Sequence, residues 1–470
     1  MRTRRASVVS CHSSKRRVGA TGWQLSLRSN RYSLRQSAKV GFRWAHAQNL
    51  RRSEAKMPTD YRRNHYVPVW YQKRFFPAGQ TSREFFYLDL RPPFLDLGGG
   101  AIQVSSGLSR RGPKKSFVEP DLYTRFIGTE PNTDVEQQFF GEVDDRGKAA
   151  IEAFGNFSYQ PAALENLRVL LIYMVTQKLR TPKGMKWIED TAGVGRDAVL
   201  AAMIENRRLF QSIWMECVWH IADARDSETK FVLSDHPVTV YNRACDPRSA
   251  YCADFQDPDI RLHGTHTLFP LSLDKIMILT NLSWVRNPYQ SARAVRPNPV
   301  LQRAAMFNFM DIQVDRHLSE REVREINLVI KRRAWRYVAA AQEEWLYPER
   351  YLEDPHWARF GDGYLMMPEP RLVSGGAVQM YAGYDSGRVI ATDEYGRRPG
   401  QAGWNTGDGN LGRAPLDRFQ GEFARRYGPT RRARSRQYGE LGPESDSEEL
   451  YRHYLEQEAR GKVAMEQHPD

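Results

Sequence analysis

The chain is organised around one short stretch, Asn64-His65-Tyr66-Val67-Pro68-Val69-Trp70-Tyr71-Gln72-Lys73-Arg74-Phe75-Phe76. It gathers a histidine, a proline and five aromatic residues in thirteen positions. Such a stretch can help to recognise a type of protein, but it does not indicate a reaction mechanism. The chain contains no catalytic signature of a well-understood enzyme class, so its function has to be argued from scattered polar residues.

Positive charge is concentrated at the start of the chain. The sequence has 69 Lys and Arg against 56 Asp and Glu, and thirteen of the basic residues lie in residues 1–53, which hold no acid. Subtracting 13 from 69 leaves 56 basic and 56 acidic residues in the remainder. The body of the protein is therefore neutral, and its composition does not indicate an anionic partner such as nucleic acid.

Residues 1–56 form a basic leader that we expect to be separate from the fold. Three interpretations are open. A leader rich in Arg and Ser and lacking acids is typical of an organellar transit peptide, whereas a basic arm could also bind nucleic acid. In the third interpretation translation starts at Met57, and the leader is not part of the cellular protein. The expected location is the cytoplasm, or the mitochondrion if the leader is a transit peptide.

Hydropathy and cysteine content both favour an intracellular protein. The longest apolar run, Val169 to Val175, is far shorter than the roughly 20 residues that cross a bilayer, so no membrane span is predicted. Four cysteines (Cys11, Cys217, Cys245, Cys252) are too few and too scattered for a disulfide framework. This pattern fits a reducing compartment.

Apolar periodicity predicts one mixed α/β domain over residues 57–345, with a helical N-terminal half packed on a small mixed sheet. We expect helices at about 135–154, 164–180 and 197–222, and another after the capping box of Ser319 and Glu322. We expect strands at 84–90, 229–233, 238–241, 267–272 and 275–280. Residues 346–470, rich in Pro, Gly and charge, are expected to be a largely disordered tail with a terminal helix beginning near 445.

Six short motifs in fixed order resemble a known family, the domain of unknown function 4238, over about residues 62–342. They are Asn64 to Pro68 with Arg74-Phe75, Val135-Glu136, Gln177 to Pro182, Leu233 to Val238, Phe269 to Ser272, and Glu325 to Asn327 with Ala334 and Tyr337-Val338. The resemblance implies an α/β domain and no established activity. His236 stands where the family usually has Asn, so the resemblance implies no role for that side chain.

Polar residues of these motifs are the candidate site residues. Our candidate catalytic residues are His65, Glu136 and Asp235, each a possible base, and our candidate ligand-binding residues are Gln177, Arg180, Ser234 and Asn327. Several lie where a helix or strand ends, which is where α/β folds collect sites. The competing interpretation is structural: Arg at a helix C-terminus, Asp in a turn and Asn bridging to a loop all stabilise folds.

Two other arrangements fit known chemistry poorly. Ser234-Asp235-His236 is not a catalytic triad, because neighbours on an extended chain point to opposite faces. Cys245, Cys252, His263 and His266 have spacings that match no common zinc site, so no metal ligands are assigned. The sequence indicates no particular cofactor.

The leading functional hypothesis is a hydrolase-like enzyme or a ligand-binding protein with a polar pocket of His, Asp, Arg, Gln and Asn. The alternative is a non-enzymatic interaction module in which the aromatic stretch (Trp70, Tyr71, Phe75, Phe76) is core and the tail recruits partners. A nucleic-acid-associated protein is a further alternative that depends on the leader. Clustering of His65, Arg180 and Asp235 around one cavity would favour the first hypothesis.

Overall fold

The aromatic stretch places its rings between helices and a sheet. Tyr71 and Phe75 are fully buried, and the ring of Tyr71 stacks on Phe269 with centroids 5.7 Å apart. The Tyr71 hydroxyl also donates to the carbonyl oxygen of Pro270. Aromatic residues in this stretch therefore join the first residues of the domain to a strand about two hundred residues later.

The computed structural model describes most of the chain between residues 63 and 436. The described ranges are 63–80, 83–96, 102–120, 122–123, 125–127, 130–132, 140–192, 196–296, 309–358, 360, 364–373, 379–383, 389–393, 398–401, 413–428 and 430–436. The leader, the Thr133-Glu136 capping box and the expected helix near 445 lie outside these residues.

The described helices and strands alternate irregularly along the chain. The α-helices are α1 (Val69–Gln72), α2 (Gly141–Gly155), α3 (Pro161–Leu179), α4 (Pro182–Ala192), α5 (Arg196–Met215), α6 (Leu282–Arg286), α7 (Glu320–Arg333) and α8 (Arg413–Tyr427). The strands are β1 (Arg63–His65), β2 (Phe85–Asp89), β3 (Phe94–Asp96), β4 (Ile102–Val104), β5 (Leu108–Arg111), β6 (Val118–Pro120), β7 (Arg125–Ile127), β8 (Glu130–Asn132), β9 (Cys217–Asp223), β10 (Leu233–Ser234), β11 (Thr239–Asn242), β12 (Thr265–Pro270), β13 (Lys275–Asn281), β14 (Gln313–His317), β15 (Tyr337–Ala340), β16 (Gln379–Gly383) and β17 (Val389–Asp393).

Two larger sheets form the β part of the domain. One has the strand order β11-β12-β13-β9-β14, antiparallel except for the β14–β9 pair, and the other has the antiparallel order β10-β15-β2-β5. Helix α3 packs against α2, α4 and α5. Residues of both sheets and of these helices share one apolar core, so the predicted mixed α/β class is confirmed.

The capping box at Ser319 is confirmed. The Glu322 backbone N–H donates to Ser319 Oγ at 3.3 Å, and the Ser319 N–H donates to Glu322 Oε2 at 2.9 Å. Val323, Ile326 and Ile330 are buried on the inner face of α7, as their spacing predicts. The helix ends at Arg333: Ala334 is its C-cap, and Val338 belongs to β15.

The predicted helix over 197–222 is wrong at its end. Helix α5 stops at Met215, and residues 217–223 are the strand β9. This strand lies between β13 and β14, and all its residues but Cys217 are buried. A strand covered on both faces has no alternation of apolar and polar residues, so its apolar run also matches helical spacing.

The packed domain also extends beyond the predicted boundary at residue 345. Helix α8 buries Leu416, Phe419 and Phe423, and the two phenylalanines join a second apolar cluster with Trp284 and Met367. The prediction of a largely disordered tail is therefore wrong for these segments. These segments are rich in Arg and Gly and contain few large apolar residues. The apolar residues they do contain are buried against residues from other parts of the chain.

Candidate functional site

A cavity of about 590 Å³ lies at the helical side of the domain. Helices α4 and α5 line it on one side, and residues 250–261 line it on the other. The apolar part of its wall includes Leu179, Trp187, Leu209 and Phe210. We call it the lysine cavity, because two buried lysines, Lys178 and Lys183, belong to its lining.

Two buried lysines share a single carboxylate at this cavity. Lys178 Nζ lies 2.5 Å from Asp257 Oδ2, and Lys183 Nζ lies 2.7 Å from Asp257 Oδ1. Lys178 belongs to the last turn of α3, whereas Lys183 belongs to the first turn of α4. The short turn between the two helices therefore brings both amino groups to the same point.

His236 completes this group. Its Nε2 lies 3.2 Å from Lys178 Nζ and 3.0 Å from Asp257 Oδ2, and its Nδ1 lies 2.7 Å from Thr181 Oγ1. Thr181 Oγ1 also lies 3.1 Å from the Lys178 carbonyl oxygen, so this carbonyl and Nδ1 are alternative acceptors of the single hydroxyl proton. A proton on Nε2 faces the Asp257 carboxylate, whereas a lone pair on Nε2 faces Lys178 Nζ.

Burial and neighbouring charges shift the pKa of every titratable member of the group. Burial lowers the pKa of His236 to about 3, and the positive charge of Lys178 acts in the same direction. Burial also lowers the pKa of Lys178 and Lys183, although Asp257 opposes the change. Burial alone would raise the pKa of Asp257, but the two lysines hold it well below its usual range.

The turn between α3 and α4 is rigidly specified by its sequence. Thr181 caps α4 by accepting a hydrogen bond from the Gly184 N–H at 3.1 Å, and Pro182 occupies the first helical position. A Cβ atom on Gly184 would collide with the backbone of Lys178 and Leu179, so the close approach of the two helices requires glycine here.

A third basic group lies behind the two lysines. Arg333, at the end of α7, is buried and donates to the carbonyl oxygens of Cys245 at 2.7 Å and Gln256 at 3.4 Å. Its own carbonyl accepts from Lys183 Nζ at 2.7 Å. Arg333 therefore fastens the segment that carries Asp257 and adds positive charge beside the cavity.

The predicted ligand-binding residues Gln177 and Arg180 do not line the lysine cavity. Arg180 is buried and forms an ion pair with Asp144 at 2.9 Å, and its Nε donates to Gln177 Oε1 at 3.0 Å. Gln177 Nε2 in turn donates to the Tyr66 carbonyl at 2.9 Å. Both residues thus link helices α2 and α3 to the aromatic stretch.

Asp235, Ser234 and Asn327 also contact backbone rather than the cavity. The Asp235 carboxylate accepts from the N–H groups of Trp335, Arg336 and Tyr337 at 2.6–2.8 Å. Burial raises its pKa to about 6 in spite of these donors. Ser234 Oγ accepts from the His236 N–H at 3.2 Å, and Asn327 bridges Val232 N–H and the Lys230 carbonyl.

The remaining candidates lie apart from the cavity lining or outside the description. His65 Nε2 is 3.2 Å from the Lys114 carbonyl oxygen, where β1 meets its partner strand β6. Glu136 lies outside the described residues. The catalytic roles assigned to His65, Glu136 and Asp235 stay predictions, although the contacts of His65 and Asp235 match the structural interpretation.

The cavity includes side chains from two of the six motifs, but not the predicted ones. Lys178 follows Gln177 directly, and His236 follows Asp235, so two motifs of the resemblance do converge on a cavity. Asp235 and His236 lie in a bend after β10, where Asp235 contacts the 335–337 backbone and His236 contacts Lys178. No sequence pattern predicted a site role for Asp257 or Lys183. Asp257 lies in a long irregular segment, where neither helical nor strand spacing applies.

The residues considered for zinc have other contacts. Cys252 Sγ lies 3.1 Å from an N–H group of Arg333, and His266 Nδ1 lies 3.0 Å from Thr280 Oγ1. In the described ranges, no three His, Cys, Asp or Glu side chains are arranged to hold a metal ion. Nor does any helix in those ranges have the length and apolar character needed to cross a membrane.

Comparisons with family models, with curated proteins and with solved structures find no match to this chain. The resemblance to domain of unknown function 4238 therefore stays a prediction that rests on the motif residues.

Proposed function

We propose that this protein binds a small molecule with an acidic group in the lysine cavity. The observation that carries the proposal is the pair of buried lysines, Lys178 and Lys183, that line one cavity and share the single carboxylate of Asp257. Arg333 beside them has no carboxylate partner among the described residues. The single charge of the Asp257 carboxylate faces the two amino groups that contact it.

Excess buried charge is costly in a folded protein. Leaving a charge buried without a partner costs several kcal/mol, so such groups usually have a counter-ion. A carboxylate or phosphate on a ligand would supply it at the cavity wall. The apolar surfaces of Leu209, Phe210 and Trp187 would then contact an aliphatic or aromatic part of the same molecule.

The arrangement supports ligand binding better than hydrolysis through these residues. His236 contacts Thr181 through one ring nitrogen and Asp257 through the other, which is the order of contacts in a nucleophile–base–acid triad. Thr181, however, is not among the residues that line the cavity, whereas Lys178 and Lys183 are. Its hydroxyl is used in the turn between α3 and α4, so a substrate in the cavity would not reach this oxygen.

Isothermal titration calorimetry of the full chain tests the proposal with matched pairs of ligands. Phenylacetate, phenyl phosphate and octanoate are compared with phenylacetamide and octanamide, which lack the charge. We expect an acid to bind at least ten times more tightly than its amide, and Lys178→Gln to remove this preference. Lys186→Gln is the control, because Lys186 lies on α4 but is 40% exposed and paired with Asp190. Equal affinities for acids and amides, or no binding by any acid, would refute the proposal without any variant.

We also propose a cytoplasmic location, supported by the free thiols of the three described cysteines, Cys217, Cys245 and Cys252.

The two alternative functions stay predictions. The nucleic-acid alternative depends on the leader, which lies outside the described residues. The interaction-module alternative requires the aromatic stretch to be core, and this requirement is equally compatible with ligand binding at the cavity.

A further inference from the structure

The two lysines of the cavity share one carboxylate but differ in their other neighbours. Lys178 Nζ donates to Asp257 Oδ2 and to the Val238 carbonyl at 3.3 Å, and it lies 3.2 Å from His236 Nε2. Lys183 Nζ has two hydrogen-bond acceptors among the described residues, Asp257 Oδ1 and the Arg333 carbonyl, each at 2.7 Å.

Two acceptors are satisfied by an uncharged amine, which has two N–H groups and one lone pair. The surroundings of Lys183 favour that form. It lies in the first turn of the eleven-residue helix α4, where the helix dipole disfavours positive charge, and it has Lys178 and Arg333 as neighbours. Burial, the largest cause, lowers its pKa in the same direction. Desolvation and a neighbouring cation are the conditions that make a lysine nucleophilic.

We propose that the amine of Lys183 forms an imine with a small carbonyl compound that also carries an acidic group, such as a 2-oxo acid. This inference rests on the proposed function, because the acidic group is what the cavity would bind first. Lys178 keeps its proton and faces the ligand's acid, while Lys183 attacks the carbonyl carbon.

The reaction balances without an oxidant or a metal. The lone pair of Nζ forms the C–N bond, and the carbonyl oxygen leaves as water with the two hydrogens of the amine. One further proton, taken from solvent, converts the imine to an iminium ion. Asp257 is then its counter-ion, since its oxygens already lie within 2.7 Å of both amino nitrogens.

Reductive trapping tests the inference on the full chain. The protein is incubated with phenylpyruvate and sodium borohydride, a hydride donor that converts an imine to a stable secondary amine, and modified peptides are mapped by mass spectrometry. We expect one adduct, on Lys183. Lys183→Arg keeps a long side chain with N–H donors but has no amine that forms an imine, so it should reduce the adduct at least ten-fold. Lys186→Arg on the same helix should leave the adduct unchanged. Phenyllactate, which has no carbonyl group, should protect Lys183 in the wild-type protein.

The outcomes separate this inference from the proposed function. If phenyllactate binds by calorimetry but phenylpyruvate gives no adduct on Lys183, the imine is refuted and acid binding stands. If neither compound binds or reacts, both are refuted. Modification spread equally over exposed lysines, or unchanged in Lys183→Arg, overturns the inference. The protection experiment needs no variant, so it decides the matter even if Lys183→Arg does not fold.

Discussion

Asp235 shows how a residue that resembles a catalytic base can hold a fold together. Its carboxylate accepts three backbone N–H groups from residues 335–337, between α7 and β15. Helix α7 ends with Arg333, which lies beside the lysine cavity. Asp235 thus fixes the chain just after α7, and its carboxylate also interacts electrostatically with Lys183 of the cavity.

We expect Asp235→Ala to destabilise the protein by about 3 kcal/mol, because three buried N–H groups lose their acceptor and each such loss costs about 1–3 kcal/mol before the relief of the buried charge is subtracted. Urea unfolding measures the change. Asp246→Ala is the matched control, since Asp246 is exposed and accepts a single backbone N–H, from Arg248. Equal losses for the two variants would show that the three contacts do not stabilise the fold.

The same residue illustrates why sequence identified only part of the candidate site. A motif fixes which segments are close together, but the side of an extended chain on which each residue points depends on its local backbone. Asp235 points to the 335–337 backbone, and His236 points to Lys178. Asp257 and Arg333 approach this point from segments that are distant in sequence, and no local pattern predicts such a meeting.

At the scale of elements, helices with capping boxes and regular apolar spacing were the most predictable. The spacing in α3 and the box at the start of α7 both depend on residues within a few positions of one another. Strand β9 was missed because its neighbours β13 and β14, and not its own sequence, determine its conformation. Glycines lower the helix propensity of α2, yet one of them is required for its packing.

Gly147 is that glycine. It is buried in α2, and a Cβ atom there would collide with the ring of Tyr173 on α3. We expect Gly147→Ala to cost about 1–3 kcal/mol of unfolding free energy, because overpacking outweighs the gain in helix propensity. In Gly155→Ala, at the end of the same helix, the new Cβ would lie 3.3 Å from the flexible end of Arg74, so we expect little loss. Thermal denaturation of both variants checks the difference, and a Gly147 variant as stable as the Gly155 variant would contradict the close packing of α2 on α3.

At the scale of the whole molecule, composition was misleading about where the domain ends. Residues after 345 are rich in Gly, Pro and charge, but Trp357 donates from its indole nitrogen to the Asn242 carbonyl at 2.9 Å. The guanidinium of Arg316, buried in β14, donates to the carbonyl oxygens of Leu365 at 2.6 Å and Met367 at 2.9 Å. The domain therefore includes segments that a boundary at 345 would remove.

We expect a protein that ends at residue 345 to unfold or aggregate, whereas one that ends at residue 436 keeps the stability of the full chain. The shorter protein loses the acceptors of the buried Arg316 and the apolar contacts of Phe419 and Phe423, and burying each phenylalanine contributes about 1.5–3 kcal/mol. Both proteins begin at Met57, so only the C-terminal end differs. Circular dichroism melting and size-exclusion chromatography compare them. A cooperative, monomeric protein ending at 345, with an unchanged melting temperature, would show that α8 and the segment before it lie on a domain that is complete without them.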